Sequence, residues 1–267
     1  MKFGSSALSR RRLLQAAAFM TADKGSSSSS RPTSFVLVPG AWHGGWCYAR
    51  VAKILRAQGH QVFTPTLTGV GERSHLARCA AIDWATHVED VVNVIRWEQL
   101  QAVVLCGHSY GGLVISGVAD SLPDRIASLV YVDAVIGQND RSAMDDADPQ
   151  QALESLKRVT EYDGGMLPPY PAAALNVNLG DRAMVDALCT PQPFTTLTQR
   201  LKLTGAHLRI EKKTFVRATR WPGSAAVTRT YDYVRRDPSW TVIDVGSGHD
   251  VMLDAPNRLA EILLDVR

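Results

Sequence analysis

Residues 102–107, Ala-Val-Val-Leu-Cys-Gly, run straight into Gly107-His108-Ser109-Tyr110-Gly111, followed by Gly112. A run with almost no polar residue suits a central parallel strand buried on both faces. The glycines that follow demand an abrupt change of direction, and Leu113–Ala119 then reads as helix. Strand, sharp turn and helix are thus written into a short stretch. That stretch commits the chain to layers of strands alternating with helices.

The remainder keeps the same rhythm. Thr33–Pro39, Gln61–Pro65, Ala127–Val135, Lys213–Ala218 and Thr241–Val245 read as further strands. Trp46–Ala57 has helical periodicity, and residues 82–97 put Trp84, Val88, Val91, Val92 and Ile95 on one helical face. Ala255–Val266 reads as a closing helix. The expected fold class is therefore α/β, a mostly parallel central sheet flanked by helices. Residues 137–207 break the pattern, being rich in Pro, Asp and Ala, with Gly164-Gly165 and Pro168-Pro169. They are expected to form a mostly helical lid insertion over the C-terminal edge of the sheet, where ligands bind in open α/β sheets.

Composition sets the outer limits. The chain has 267 residues, 45% hydrophobic and 21% charged, which suits a globular protein. The net charge of +3 is carried by the first 31 residues, which hold six basic groups and one acid. The remainder has 23 basic and 25 acidic groups, which gives no argument for nucleic acid. Cys47, Cys79, Cys106 and Cys189 are irregularly spaced with no C-x-x-C pair, which argues against a zinc site. No run is long enough to span a membrane. Arg10-Arg11-Arg12 before the apolar run Leu13–Met20 is similar to a twin-arginine export signal, and Ser26–Ser30 reads as a linker. Residues 1–32 are read as that signal or as a disordered basic tail, and 33–267 as one domain. Export is expected if the signal operates, and a cytoplasmic enzyme otherwise.

The chemistry concentrates at strand ends. Ser109 sits in a G-x-S-x-G turn between a buried strand and a helix, the setting that exposes a serine hydroxyl as nucleophile. The amino end of the following helix favours negative charge there. A serine needs a base, and His249 follows the last strand in Gly246-Ser247-Gly248-His249. Of the other histidines, His43 and His75 fall in strand-end loops, His108 reads as packing, and His60, His87 and His207 read as surface or helix positions. The acid that orients the base is assigned to Asp133, because a carboxylate in the apolar stretch Val130–Ala134 is costly without a partner. Asp232 and Asp237 are the alternatives. The loop after the penultimate strand, Ala218–Gly223, holds no carboxylate. Acyl transfer also needs two N–H donors for the oxyanion. Tyr110, directly after the nucleophile, supplies one and Ala41 the second, with Trp42 as the alternative. Trp42, His43, Met166 and Leu167 are expected to line the substrate site.

The stretches Val-Pro-Gly-Ala-Trp-His-Gly-Gly-Trp, Thr-Pro-Thr-Leu-Thr-Gly-Val-Gly-Glu-Arg, Gly-His-Ser-Tyr-Gly-Gly and Gly-Ser-Gly-His-Asp carry a family likeness. From about Phe35 onward the chain resembles small bacterial α/β-hydrolase esterases related to the plant methylesterase and hydroxynitrile lyase family. The resemblance implies cofactor-free cleavage of a small carboxylic ester, or a lactone, through an acyl-enzyme. It also implies Ala41 and Tyr110 as the oxyanion donors. Two departures stand out. The plant enzymes carry their acid where this chain has Trp221. Haloalkane dehalogenases, looser relatives, can place it at a position like Asp133. The plant lyases have a lysine after the histidine and a threonine in the oxyanion loop, where this chain has Asp250 and Gly40. A lyase-like enzyme and a non-catalytic small-molecule receptor on the same fold are the rival readings.

Overall fold

The computed structural model describes Met1 and residues 32–78, 81–162 and 165–267. The N-terminal signal or tail, Cys79 and Gly164 lie outside the described residues. In chain order the elements are β1 (Ser34–Val38), α1 (Ala49–Ala57), β2 (Gln61–Phe63), α2 (Trp84–Trp97), β3 (Val103–His108), α3 (Gly111–Ser121), β4 (Ile126–Val132), α4 (Pro149–Glu161) and β5 (Met166–Leu167). They continue with α5 (Arg182–Leu188), β6 (Gln192–Pro193), α6 (Thr195–Thr198), β7 (Lys212–Ala218), α7 (Ala225–Val234), β8 (Trp240–Val245), α8 (Val251–Asp254) and α9 (Pro256–Asp265).

Six of the described strands form one sheet in the order β2-β1-β3-β4-β7-β8, every pair parallel. Side chains alternate across it, as period-2 geometry requires. Val36, Val38, Leu105, Leu129, Tyr131 and Phe215 meet α2, α3 and α7 on one face. Phe35, Leu37, Val104, Cys106, Val130 and Val216 meet α1, α8 and α9 on the other. This two-sided burial is why the strands read as unbroken apolar runs. Helix α2 is started by Asp83, whose carboxylate accepts from Thr86 N at 2.9 Å in a capping box.

Two expectations need correction. The fourth strand ends at Val132 and not Val135, because Asp133 takes φ +45° and leaves the sheet. Residues 137–207 are not mostly helical. They carry the helices α4, α5 and α6, short 3-10 turns and the antiparallel pair β5–β6, with the rest of the described residues irregular.

Because the strands are parallel, their carboxyl ends share one edge. Gly40–His43, Ser109, Asp133, Trp221 and His249 all lie in the loops that leave that edge after β1, β3, β4, β7 and β8.

Candidate active site

The turn at Ser109 is built from its neighbours. Ser109 has φ +52°, a conformation rarely adopted by residues with side chains. Its N–H donates to Val132 O at 3.1 Å, and its carbonyl accepts from Gly112 N at 3.0 Å and Val135 N at 3.2 Å. A β-carbon on Gly107 would lie 2.5 Å from Gly111 O, and one on Gly112 would run into Val135 O. Only glycine allows α3 to begin this close to β3 and the chain after β4 to return against it.

The candidate acid and the candidate base meet across the sheet. Asp133 and His249 are both buried, and His249 Nδ1 lies 2.7 Å from Asp133 Oδ2. The other carboxylate oxygen, Oδ1, accepts from Ala218 N at 3.1 Å. Asp133 N donates to Val216 O at 2.7 Å. Both oxygens are therefore satisfied, which removes the cost of burying this carboxylate. A proton on Nδ1, donated to Asp133, would leave His249 Nε2 as a lone-pair acceptor. Among the described residues no hydrogen bond joins Ser109 Oγ to Nε2. Such bonds are commonly long in unliganded enzymes and tighten with substrate.

The β1 loop is tied to the insertion. Trp42 has φ +68°. Its N–H donates to Gln192 Oε1 at 2.9 Å, its indole N–H to Leu167 O at 3.0 Å, and its carbonyl accepts from Thr190 N at 3.1 Å. The Trp42 N–H is thus committed to Gln192, whereas Ala41 and Tyr110 N–H have no acceptor among the described residues. Of the two candidates for the second oxyanion donor, this favours Ala41. Leu167 and Tyr110 belong to one apolar cluster with Ala41, with Trp42 packed against it, and Met166 is buried beside Leu167. The Tyr110 hydroxyl is 2.9 Å from His87 Nδ1, and burial lowers the pKa of that imidazole.

His43 does not present a free polar atom to a substrate. Its Nδ1 is 2.8 Å from Ala41 O and its Nε2 is 3.2 Å from Asp250 Oδ2. Both partners are acceptors, so the ring must carry a proton on each nitrogen to satisfy them. Burial opposes that charge, but the adjacent Asp250 carboxylate outweighs it and holds the His43 pKa well above its ordinary value. Asp250 is fully buried; burial pushes its pKa up, and the charge and hydrogen bond of His43 bring it far below the usual range. His108 lies between this pair and the base. Its Nε2 donates to His249 O at 3.0 Å and stands 3.6 Å from Asp250 Oδ1. Burial and neighbouring His249 push the His108 pKa well down, so it is neutral.

The other candidate carboxylates have partners of their own, although Asp232 lines the same cavity as Asp133. Asp232 pairs with Arg235 at 2.8 Å, and Asp237 accepts from Ser239 N at 2.9 Å. His60 and His207, read from sequence as surface or helix positions, are buried, as is His87 on α2. The positions missed by the sequence reading are Gln192, Trp221 and Asp250 as supports. Only Asp250 carried a signal, a carboxylate leading into the apolar Val251-Met252-Leu253. A cavity of about 300 Å³ backs onto Asp133, lined by Ala218, Trp221, Gly223 and Tyr231 among others. Another of about 690 Å³, lined by Gly137, Arg141, Leu203, His207 and Tyr233 among others, includes none of the candidate site residues.

Comparison with known proteins gives the family. A sequence model described as "Alpha/beta hydrolase family" matches residues 35–262. The chain is 40% identical over 240 residues to a carbendazim hydrolyzing esterase of Nocardioides sp. (strain SG-4G), covering 86% of this chain and 98% of the relative. It is 33% identical over 119 residues to Methylesterase 2 of Arabidopsis thaliana, covering 40% of this chain and 41% of that protein. A solved extracellular α/β-hydrolase from a Paenibacillus species superimposes with a TM-score of 0.77 at 23% identity, covering 88% of this chain and 99% of that one.

Proposed function

The chain belongs to the α/β-hydrolase family, and we propose that it cleaves a small carboxylic ester through an acyl-enzyme, with Ser109 as nucleophile, His249 as base and Asp133 as the acid that orients it. It is a carboxylic ester hydrolase, related to the plant methylesterases. The observation that carries the mechanism is the 2.7 Å contact between His249 Nδ1 and Asp133 Oδ2 at the edge that holds the Ser109 turn.

Ser109 Oγ attacks the ester carbonyl while its proton passes to His249 Nε2. The resulting oxyanion accepts from the N–H groups of Tyr110 and Ala41. The tetrahedral centre collapses, the C–O bond to the alcohol breaks, and His249 returns the proton to the leaving oxygen. Water then attacks the acyl group, gives its proton to His249, and Ser109 is released with it. Asp133 stabilises the imidazolium in both halves. In this reading residues 137–207 act as a lid, supported by the bonds from Leu167, Thr190 and Gln192 to Trp42.

Hydrolysis of p-nitrophenyl esters of short to medium acyl chains by the wild type and Ser109→Ala tests this. The mutant is expected to lose on the order of 10⁶ in kcat. Turnover that survives in Ser109→Ala would refute the assignment, and cyanohydrin cleavage without ester turnover would favour the lyase reading.

A further inference from the structure

The loop after β7 has no carboxylate, yet it reaches the base. The Trp221 indole stacks on the His249 imidazole, ring centroids 4.0 Å apart and planes 35° from parallel. Its orientation is fixed: the indole N–H donates to Ala174 O at 3.1 Å. The same short segment holds the histidine loop, since His249 N donates to Leu175 O at 3.0 Å and Asn176 Nδ2 to Arg220 O at 2.8 Å. Gly248 is packed so tightly on Asn176 O that no β-carbon fits there. A second ring, His108, lies 4.5 Å from His249. It is neutral and tied to the His249 carbonyl, so it positions the loop without adding charge.

An aromatic face attracts a cation, more strongly where water is excluded. In the proposed mechanism His249 becomes cationic as it takes the Ser109 proton, so an indole face on the ring favours the state formed in the transition state over the resting one. We infer that Trp221 is a positioning residue for the reaction: stacked on His249, it holds the ring toward Asp133 and stabilises the imidazolium that forms during catalysis. The inference rests on His249 being the base. The charged and titratable groups that the structure places about His249 are Asp133 after β4 and His108 at the end of β3, with Asp250 and His43 behind His108; on β7 and its loop Arg217 is paired with Asp244, and Arg220 follows. None of them is altered by a change at Trp221.

The test is the pH profile of kcat/KM for wild type, Trp221→Phe and Trp221→Leu on one p-nitrophenyl ester. The same proteins carrying Ser109→Ala give the His249 titration by NMR. Removing the indole should lower the His249 pKa by roughly 0.4–1.5 units, moving the acidic limb to lower pH. It should lower kcat by about 2- to 30-fold with KM nearly unchanged. Trp221→Phe should fall between wild type and Trp221→Leu. An unmoved His249 pKa in Trp221→Leu, or equal effects of Phe and Leu, overturns the inference. Should Trp221→Leu not fold, fluorinated tryptophan keeps the shape and drains the ring face. The His249 pKa should then fall with each added fluorine, and a constant value overturns the inference. His249→Ala separates the two ideas. Turnover retained there refutes the base assignment itself, whereas turnover lost there with no effect of Trp221 refutes only the stacking role.

Discussion

Ser109 and the glycines that shape its turn lie within six consecutive residues, whereas His249 and Asp133 meet across 116 positions of sequence. The two halves of the site share one sheet edge but are made differently. The Ser109 turn is largely a local device: its φ of +52° and the close approach of Gly107 to Gly111 O lie within a few residues, with β4 and the chain after it packed against them. The Asp133–His249 pair is a product of sheet order. Asp133 reaches His249 because β4 and β8 both flank β7, and β7 donates Ala218 N–H to the same carboxylate. A local device fixes its residue from the sequence; a tertiary one leaves the chain free to draw the acid from another strand.

The strongest way to break this contrast is Asp133→Asn. If the acid has moved to β4, the neutral amide presents the wrong partner to Nδ1 and kcat should fall about 10⁴-fold with the fold retained. Near-normal kcat in steady-state assays would return the acid to another position.

Asp250→Asn probes the tertiary side below the oxyanion loop. Removing one partner of a buried pair should cost about 3–5 kcal/mol at pH 6, read by denaturant unfolding. The His43 pKa is raised, so its contribution is full below about 6.5 and is lost as pH rises through the raised value. The Asp250 pKa is depressed, so its contribution holds above about 3.9 and is lost as pH falls. The wild type should therefore lose stability from pH 6 to 9 where Asp250→Asn does not. Parallel pH curves for the two would disprove a charged His43.

On the local side, Gly107→Ala should cost about 1–3 kcal/mol by crowding Gly111 O, which thermal unfolding would register. A neutral effect would show that the turn can relax. A change of similar size is expected for Gln192→Leu, which leaves Trp42 N–H without its acceptor. A loss of about 1–3 kcal/mol in stability, with kcat/KM within tenfold, would fit a supporting role. A loss above 10³ in kcat would instead make Gln192 part of the oxyanion machinery.

The order of strands and helices was legible because burial on both faces leaves apolar runs that few other folds produce. Asp133 was legible for a related reason, as a charge stranded in such a run. The end of β4 was not, because the left-handed turn at Asp133 is imposed by its contacts to Val216 and Ala218 and by the return of Val135 to Ser109. Residues 137–207 are less helical than expected because proline and alanine content does not specify where a chain crosses itself.

By itself the sequence determined the sheet, the Ser109 turn and the identity of the residues at each strand end, since these depend on periodicity and on the absence of β-carbons. Tertiary structure alone decided which N–H groups remain available, that Asp133 and not Asp232 or Asp237 contacts His249, and that Trp221 stacks on that ring. Those choices depend on hydrogen bonds between residues distant in sequence, such as Gln192 with Trp42 and Ala174 with Trp221, and no local pattern encodes such a pairing.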